Sequence, residues 1–249
     1  PNTFNMYCHR EPRFYLTVVW NGQWFKWENR NTNFLYGQPD GGPTHDAPQN
    51  GYLNRSRVSL DYIPRDNNHP YRPAIIFRMA EAYLSYAEAL NESSERMSHK
   101  QEILDNLNKI RHRAGIAEYG TGTDENGFTR IKINFSDQKE VRRLIHKERR
   151  VEFVGEGVRY HDLRRWKTAH YGIGNLNEQG ENPDWGVNGP DYGMNYYGTE
   201  YTDQGDNAFF KRTKYMDRVY PRKFYWYPIH QSEIDKDPTL VQGPFWLGE

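Results

Sequence analysis

A chain of 249 residues with 33 basic and 33 acidic side chains carries no formal net charge, and so has no global field to draw it to nucleic acid or an anionic membrane. Its mean hydropathy of −1.04 is low, yet 15% of its residues are aromatic, which shifts apolar content toward rings that suit open binding faces as well as cores. The single cysteine, Cys8, excludes an internal disulfide and a thiolate metal cluster, and no apolar run approaches the roughly 18 residues a transmembrane helix needs.

Along the chain, residues 13–20 (RFYLTVVW) have the β-branched and aromatic content of a short strand, followed by an Asn21-Gly22 turn signal. A long Gly-, Pro-, Asn- and ring-rich loop comes next. Loops of that length in a compact protein are either functional or disordered, and Trp24, Phe25, Trp27, Phe34 and Tyr36 argue against disorder. From about Ile75 to Asn91, Ile76, Met79, Ala80, Tyr83, Leu84, Ala87 and Leu90 recur at three- and four-residue steps, which predicts a helix. Ile103, Leu107, Ile110 and Ala114 mark a second helix closed by Gly115, and the short polar link between the two makes an antiparallel pair. Its spacing partly matches a tetratricopeptide unit.

A second pair begins at Ser136, the expected N-cap, with Asp137 and Glu140 in the first turn. Val141, Leu144, Ile145, Val151 and Val154 supply its apolar stripe, Gly155 and Gly157 end it, and a shorter helix carries Tyr160, Leu163 and Trp166. Within LIHKERRVEFVGEGVRYHDLRRW, Glu148, Glu152 and Glu156 fall four apart, interleaved with arginines. Two carboxylates could serve a glycosidase, but glutamates held ionised by arginines make poor general acids. The lone Gly-Glu-Gly is neither a Walker loop nor a dinucleotide fingerprint. The reading preferred is structural: Glu148, Arg149, Arg150 and Glu152 tie one helix to its neighbours, and Asp162, Arg164, Arg165 and Trp166 fasten the returning helix.

ERRVEFVGEGVRYHDLRRW closely resembles the motif of the SusD/RagB family of cell-surface nutrient-binding lipoproteins. EPRFYLTVVWNG, FRMAEAYLSYAEALNE with LNKIRHRAGI, and YWYPIHQSEIDKDPTLVQGPFW resemble three more of its motifs in the same order. The departures are small: Val158 where His is frequent, His161 where an aromatic is usual, His230 for Pro, and Gly243 for Asn before Pro244. The resemblance implies a mainly α fold of tetratricopeptide-like helical pairs with long irregular loops and a few short strands. The chain, which starts at Pro1 without a signal-like segment, is then read as the C-terminal half of a longer protein. Within it, residues 1–72 form a strand and ligand-loop segment, 73–168 the helical pairs and 169–249 a loop-rich closing segment.

The resemblance further implies a non-enzymatic glycan-binding protein without cofactor. It would be anchored by an N-terminal lipid that this chain does not carry, Cys8 not being the anchoring residue, to the outer leaflet of an outer membrane. There it would deliver oligosaccharides, or in some branches peptides, to a SusC-like TonB-dependent transporter. Sugars pack their C–H faces on rings and present hydroxyls to planar polar side chains. The first candidate site is therefore Trp20, Trp24 and Trp27 with Gln23, Asn29, Arg30 and Tyr36. The second is the loop carrying Trp185, Tyr192, Tyr196 and Tyr197, which suits either ligand or a transporter interface. The nine histidines lack ligand spacing, no catalytic residue is assigned, and the segment DNAFFKRTKYMD matches no calcium loop. Glycoside hydrolysis and a plain helical-repeat scaffold are the more distant alternatives.

Overall fold

A computed structural model describes residues 4–56, 58–59, 66–67, 70–71, 73–172 and 186–247. The chain forms two compact units, one of residues 1–157 and 193–213, the other of 158–192 and 214–249.

The first unit is built on three helices, α2 (Met79–Glu92), α3 (Lys100–Arg113) and α4 (Gln138–Glu152). Helix α2 packs on both of the others. Ala80, Leu84 and Ala87 of α2, Ile103, Leu107 and Ile110 of α3, and Val141 and Ile145 of α4 are all buried, which follows the periodicity expected from the sequence except at Met79, which is exposed. The alanines let the helix axes approach closely. Gly115 closes α3 as expected: it lies at φ +66°, its N–H donates to His112 O, and the next N–H, of Ile116, reaches back to Arg111 O. That pair of bonds is a Schellman cap, and it satisfies carbonyls the helix would otherwise leave open.

Three boundaries differ from expectation. The strand foreseen over 13–20 is split into helix α1 (Pro12–Thr17) and a three-residue strand β1 (Val18–Trp20). Pro12 fits the first helical position, and the helical turn brings Arg13 to carboxylates of α4, an interaction between segments that local propensity does not register. Helix α2 starts at Met79 rather than Ile75, because Arg78 is extended (φ −141°, ψ 155°), with its guanidinium paired to Glu152 and Glu156. Ile75, Ile76 and Phe77 are consequently exposed, Ile76 by 96%. Asp137, not Ser136, caps α4, accepting from the Lys139 and Glu140 N–H groups at 2.9 and 3.2 Å. In that helix Val154 lies past the last turn and is exposed, so the apolar stripe ends sooner than the sequence suggested.

Strand β1 pairs antiparallel with β4 (Tyr52–Asn54), Trp20 facing Tyr52. Strands β2 (Trp24–Phe25) and β3 (Arg30–Asn31) form a small hairpin between them in sequence. A second core holds this part together: Tyr7, Phe34, Leu35, Met194 and Phe209, with Phe14, Trp20 and Tyr52 packed against it.

The second unit contains α5 (Val158–Arg165), most of a two-stranded sheet of β5 (Gly189–Gly193) and β6 (Thr213–Arg218), and α6 (Gln231–Lys236). Its core is Leu163, Ala169, Tyr220 and Tyr225, flanked by Trp166 and Val187. Arg164 donates to the Tyr225 carbonyl at 2.9 Å, and Arg165 to Asp162 at 2.9 Å while its guanidinium lies 4.9 Å from the Trp166 ring. These are fastening contacts of the kind expected from the Asp-Leu-Arg-Arg-Trp run.

Candidate functional site

The tryptophan loop is a short hairpin turned outward. Trp24 faces Asn31 and Phe25 faces Arg30 across β2 and β3, and a 3-10 turn over Lys26–Glu28 joins them. Asn29 closes that turn at φ 51°, a left-handed conformation that Asn tolerates better than most residues. Trp24 is 58% exposed; Trp27 is half-buried, with the Lys26 ammonium 4.5 Å over its ring.

The other predicted residues divide by role. Trp20 belongs to the core: its ring stacks on Phe14 at 5.5 Å and meets Tyr7 and Tyr15 edge-on or tilted. Gln23 sits at the base of the hairpin, its Oε1 accepting from Trp20 N–H and its backbone N–H donating to Thr32 O𝛾1. Arg30 is a clasp. It grips Asp40 with two bonds of 2.6 and 2.8 Å and reaches Glu28 Oε2 at 2.8 Å. Burial alone would raise the Asp40 pKa, but the bonds from Arg30 and the Asn33 N–H outweigh it and hold the carboxyl below its ordinary value. The hairpin is thus pinned to the 33–42 segment, and Trp24 is presented from a braced base.

Tyr36 brings the two candidate loops together. Its ring lies 6.0 Å from Tyr196 and 5.6 Å from Tyr197, and its N–H donates to Gly198 O at 2.8 Å. Gly42 lies under the Tyr196 ring, where any Cβ would collide with it. Tyr197 is exposed and Tyr36 and Tyr196 half-buried, so these three rings form a second aromatic surface in the first unit. Tyr192 lies on β5 in the second unit, exposed. Trp185 lies outside the described residues.

The glutamate cluster is an ion-pair network. Glu152, its side chain 2% exposed, bonds Arg13 and Arg78 at 2.9 and 2.5 Å and also pairs with Arg113. Glu148 pairs with Arg13 and Arg111, and Glu156 with Arg78. Burial pushes the Glu152 pKa up, yet the hydrogen bonds from Arg78, Arg113 and Arg13 prevail and hold it below the ordinary value. A carboxylate kept ionised in this way is unsuited to donate a proton. Arg149 is buried and reaches Ser85 at 3.1 Å, and Arg150 is exposed on α4.

Sequence reasoning assigned no functional residue to a cleft of about 950 Å³ between α2, α3 and the 118–135 loop. Tyr83, Asn108, Lys109 and His112 of the two helical motifs line it, and its polar groups are largely spent on one another. The Asn108 amide bonds both backbone groups of Tyr119, Arg130 pairs with Glu118, and Lys109 covers the Tyr83 ring. Among the described residues no group of three or more His, Cys, Asp or Glu side chains is placed to hold a metal ion, and no helix is long and apolar enough to cross a membrane.

Paired helices sealed by buried Arg–Glu bridges, with aromatic loops braced outward, define a helical scaffold. The chain belongs to the SusD family, whose model matches residues 2–246. It is 32% identical over 109 residues to the SusD-like protein P25 of Formosa agariphila, a match covering 44% of this chain and 18% of the relative, and similarly to SusD-like protein P38 of that organism, at 32% over 103 residues, 41% and 19%. Its fold is shared with a crystal structure of a SusD-like protein from Bacteroides fragilis, with a TM-score of 0.65, 26% identity, and coverage of 97% of this chain and 40% of the other. A structure described as a SusD-like carbohydrate binding protein from the same species matches with a TM-score of 0.59 at 23% identity, over 95% of this chain and 42% of that one. The chain therefore spans well under half the length of these relatives.

Proposed function

We propose that the protein captures oligosaccharides at a cell surface, with the Trp24–Trp27 hairpin as the contact, and hands them to a SusC-like TonB-dependent transporter in the outer membrane. The observation that carries this reading is an exposed tryptophan on a hairpin whose base is fixed by the Arg30–Asp40 clasp. A ring held outward on a braced base can bind with little loss of ordering entropy. Family membership supports a binding rather than catalytic role, an N-terminal lipid anchor and a place on the outer leaflet. The arginine-paired glutamates, with Glu152 held ionised, agree with binding without hydrolysis. Tyr36, Tyr196 and Tyr197 would extend the platform or meet the transporter.

Calorimetric titration of the protein with a panel of neutral and acidic oligosaccharides, alongside a peptide panel, tests the ligand class. Heat of binding from at least one oligosaccharide, with none from peptides, is expected. Binding by peptides alone would replace the carbohydrate reading with a peptide one, and release of shortened sugars during the titration would replace binding with hydrolysis.

A further inference from the structure

The second unit contains a cleft of about 740 Å³, inside the range of small-ligand sites, lined by His170, Tyr220, Arg222, Lys223, Phe245 and Trp246 along with Asn188 and Pro221. No carboxylate is among these lining residues. Its floor is fixed in place. The Asn188 amide donates to His170 O at 2.6 Å and to Tyr220 O at 3.2 Å, and its Oδ1 accepts from the Tyr220 N–H, which leaves the Asn188 side chain spent on structure and the Tyr220 backbone held. Pro221 then starts the 3-10 turn Arg222–Tyr225 that carries both cations.

The charges here stand apart from those around them. On β6, Arg218 pairs with Asp191 and Lys214 with Asp217. Among the described residues neither Arg222 nor Lys223 has a carboxylate partner; Lys223 lies 5.0 Å over the Trp246 ring instead. Trp246 donates its indole N–H to Trp226 O at 3.2 Å, which anchors the edge of its ring; the Phe224 ring lies 6.2 Å away and the residue is half-buried. Phe245, before it, is held at φ 64°, a backbone conformation that non-glycine residues seldom adopt. The Phe245 ring packs on Trp226 at 5.9 Å. Two cations without a carboxylate partner among the described residues, beside an anchored aromatic ring in a cleft whose described lining carries no acid, match one chemistry: a ring-shaped ligand that carries a negative charge.

We propose that this cleft is a second saccharide site, specific for acidic sugars, in which Arg222 and Lys223 bind a carboxylate or sulfate and Trp246 stacks on the sugar ring. The inference rests on the carbohydrate reading above but not on the Trp24 hairpin, which lies in the other unit. Arginine suits the role because its planar fork matches a two-oxygen anion, and lysine adds a point charge.

The test titrates the protein with trigalacturonate, with its neutral methyl ester, and with a sulfated trisaccharide, against the wild type, Arg222→Gln, and Arg222→Gln combined with Lys223→Gln. Both positions are at the surface or half-buried, and an unchanged melting curve confirms that the variants are folded. At least one acidic sugar should bind, about tenfold more weakly in the double variant, as is ordinary for a lost charge-assisted bond, and more weakly again in high salt. The methyl ester should bind no better than the acid binds the double variant if carboxylate is the ligand group. A preference for the sulfated sugar assigns sulfate instead. Acidic sugars that bind wild type and double variant equally, or that lose affinity only in Trp24→Ala, overturn this site while leaving the carbohydrate reading intact. Failure of every saccharide, neutral or acidic, overturns both.

Discussion

Arg13 and Glu152 form a hydrogen bond of 2.9 Å across 139 residues of sequence, joining α1 to the end of α4. Arg78, at the start of α2, and Arg113, at the end of α3, bind the same carboxylate, so one side chain ties four helices. Buried ions are expensive, and such a pair is weak evidence of net stability; what it does is make the loss of one partner severe. Glu152→Gln would leave Arg13 and Arg78 buried without a full counter-charge. Its expected cost is about 3 kcal/mol or more, read as a shift in the urea midpoint, and a change under about 0.5 kcal/mol would show the network to be dispensable.

The same carboxylate sets an acid limit. Its pKa is held below the ordinary 4.5 despite burial, because three guanidiniums bond to the ionised form. A lowered folded-state pKa means that the unfolded state takes up the proton first as pH falls. The stabilisation is therefore complete above about pH 5 and is lost as pH drops through 4.5 toward the folded value. Thermal melts from pH 7 to pH 3 should show a steeper fall for wild type than for Glu152→Gln. Parallel curves would mean that other carboxylates dominate acid unfolding.

The glycine after α4 is the next test. Gly155 lies at φ 78° with the Asn54 and Ser56 side chains where its Cβ would sit. Gly155→Ala combines a disfavoured backbone region with a clash, and should destabilise by about 1–3 kcal/mol. Gly157, at φ 81° with open space around it, should cost less on the same change. Equal effects would show that backbone conformation, not the Asn54 contact, decides both.

Much of the helical scaffold was legible in the sequence. Leu84, Leu107, Ile110, Val141 and Ile145 are spaced for one buried face each, and burial followed that spacing. The misplaced starts of α1 and α2 share one physical cause. Arg13 and Arg78 adopt helical and extended backbone respectively because each must reach Glu152, and no local window contains that partner. The site was less legible for a similar reason. Composition marks Trp20 and Trp24 alike, and only the tertiary packing of Phe14, Tyr7 and Tyr15 draws Trp20 inward while Trp24 is left out. Arg30, chosen as a ligand reader, is committed to Asp40 and Glu28, which lie ten residues after it and two before. The joining of Tyr36 to Tyr196 and Tyr197 links segments 160 residues apart, beyond any periodicity argument.

If Arg30 braces the hairpin, its removal should act on ligand affinity through position rather than contact. Asp40→Asn keeps the guanidinium available to ligand but weakens the clasp; at this partly exposed site the stability cost should be about 1 kcal/mol or less. Affinity for a bound oligosaccharide should fall in Asp40→Asn as well as in Arg30→Ala. A loss confined to Arg30→Ala would make Arg30 a direct ligand contact instead.

The most direct measurement is calorimetry of the Trp24→Ala and Trp27→Ala variants with whichever oligosaccharide the wild type binds. Each truncation should weaken binding about tenfold or more, the ordinary loss for an aromatic anchor, at unchanged melting temperature. Wild-type affinity in both variants would contradict the account and remove the hairpin from the binding surface.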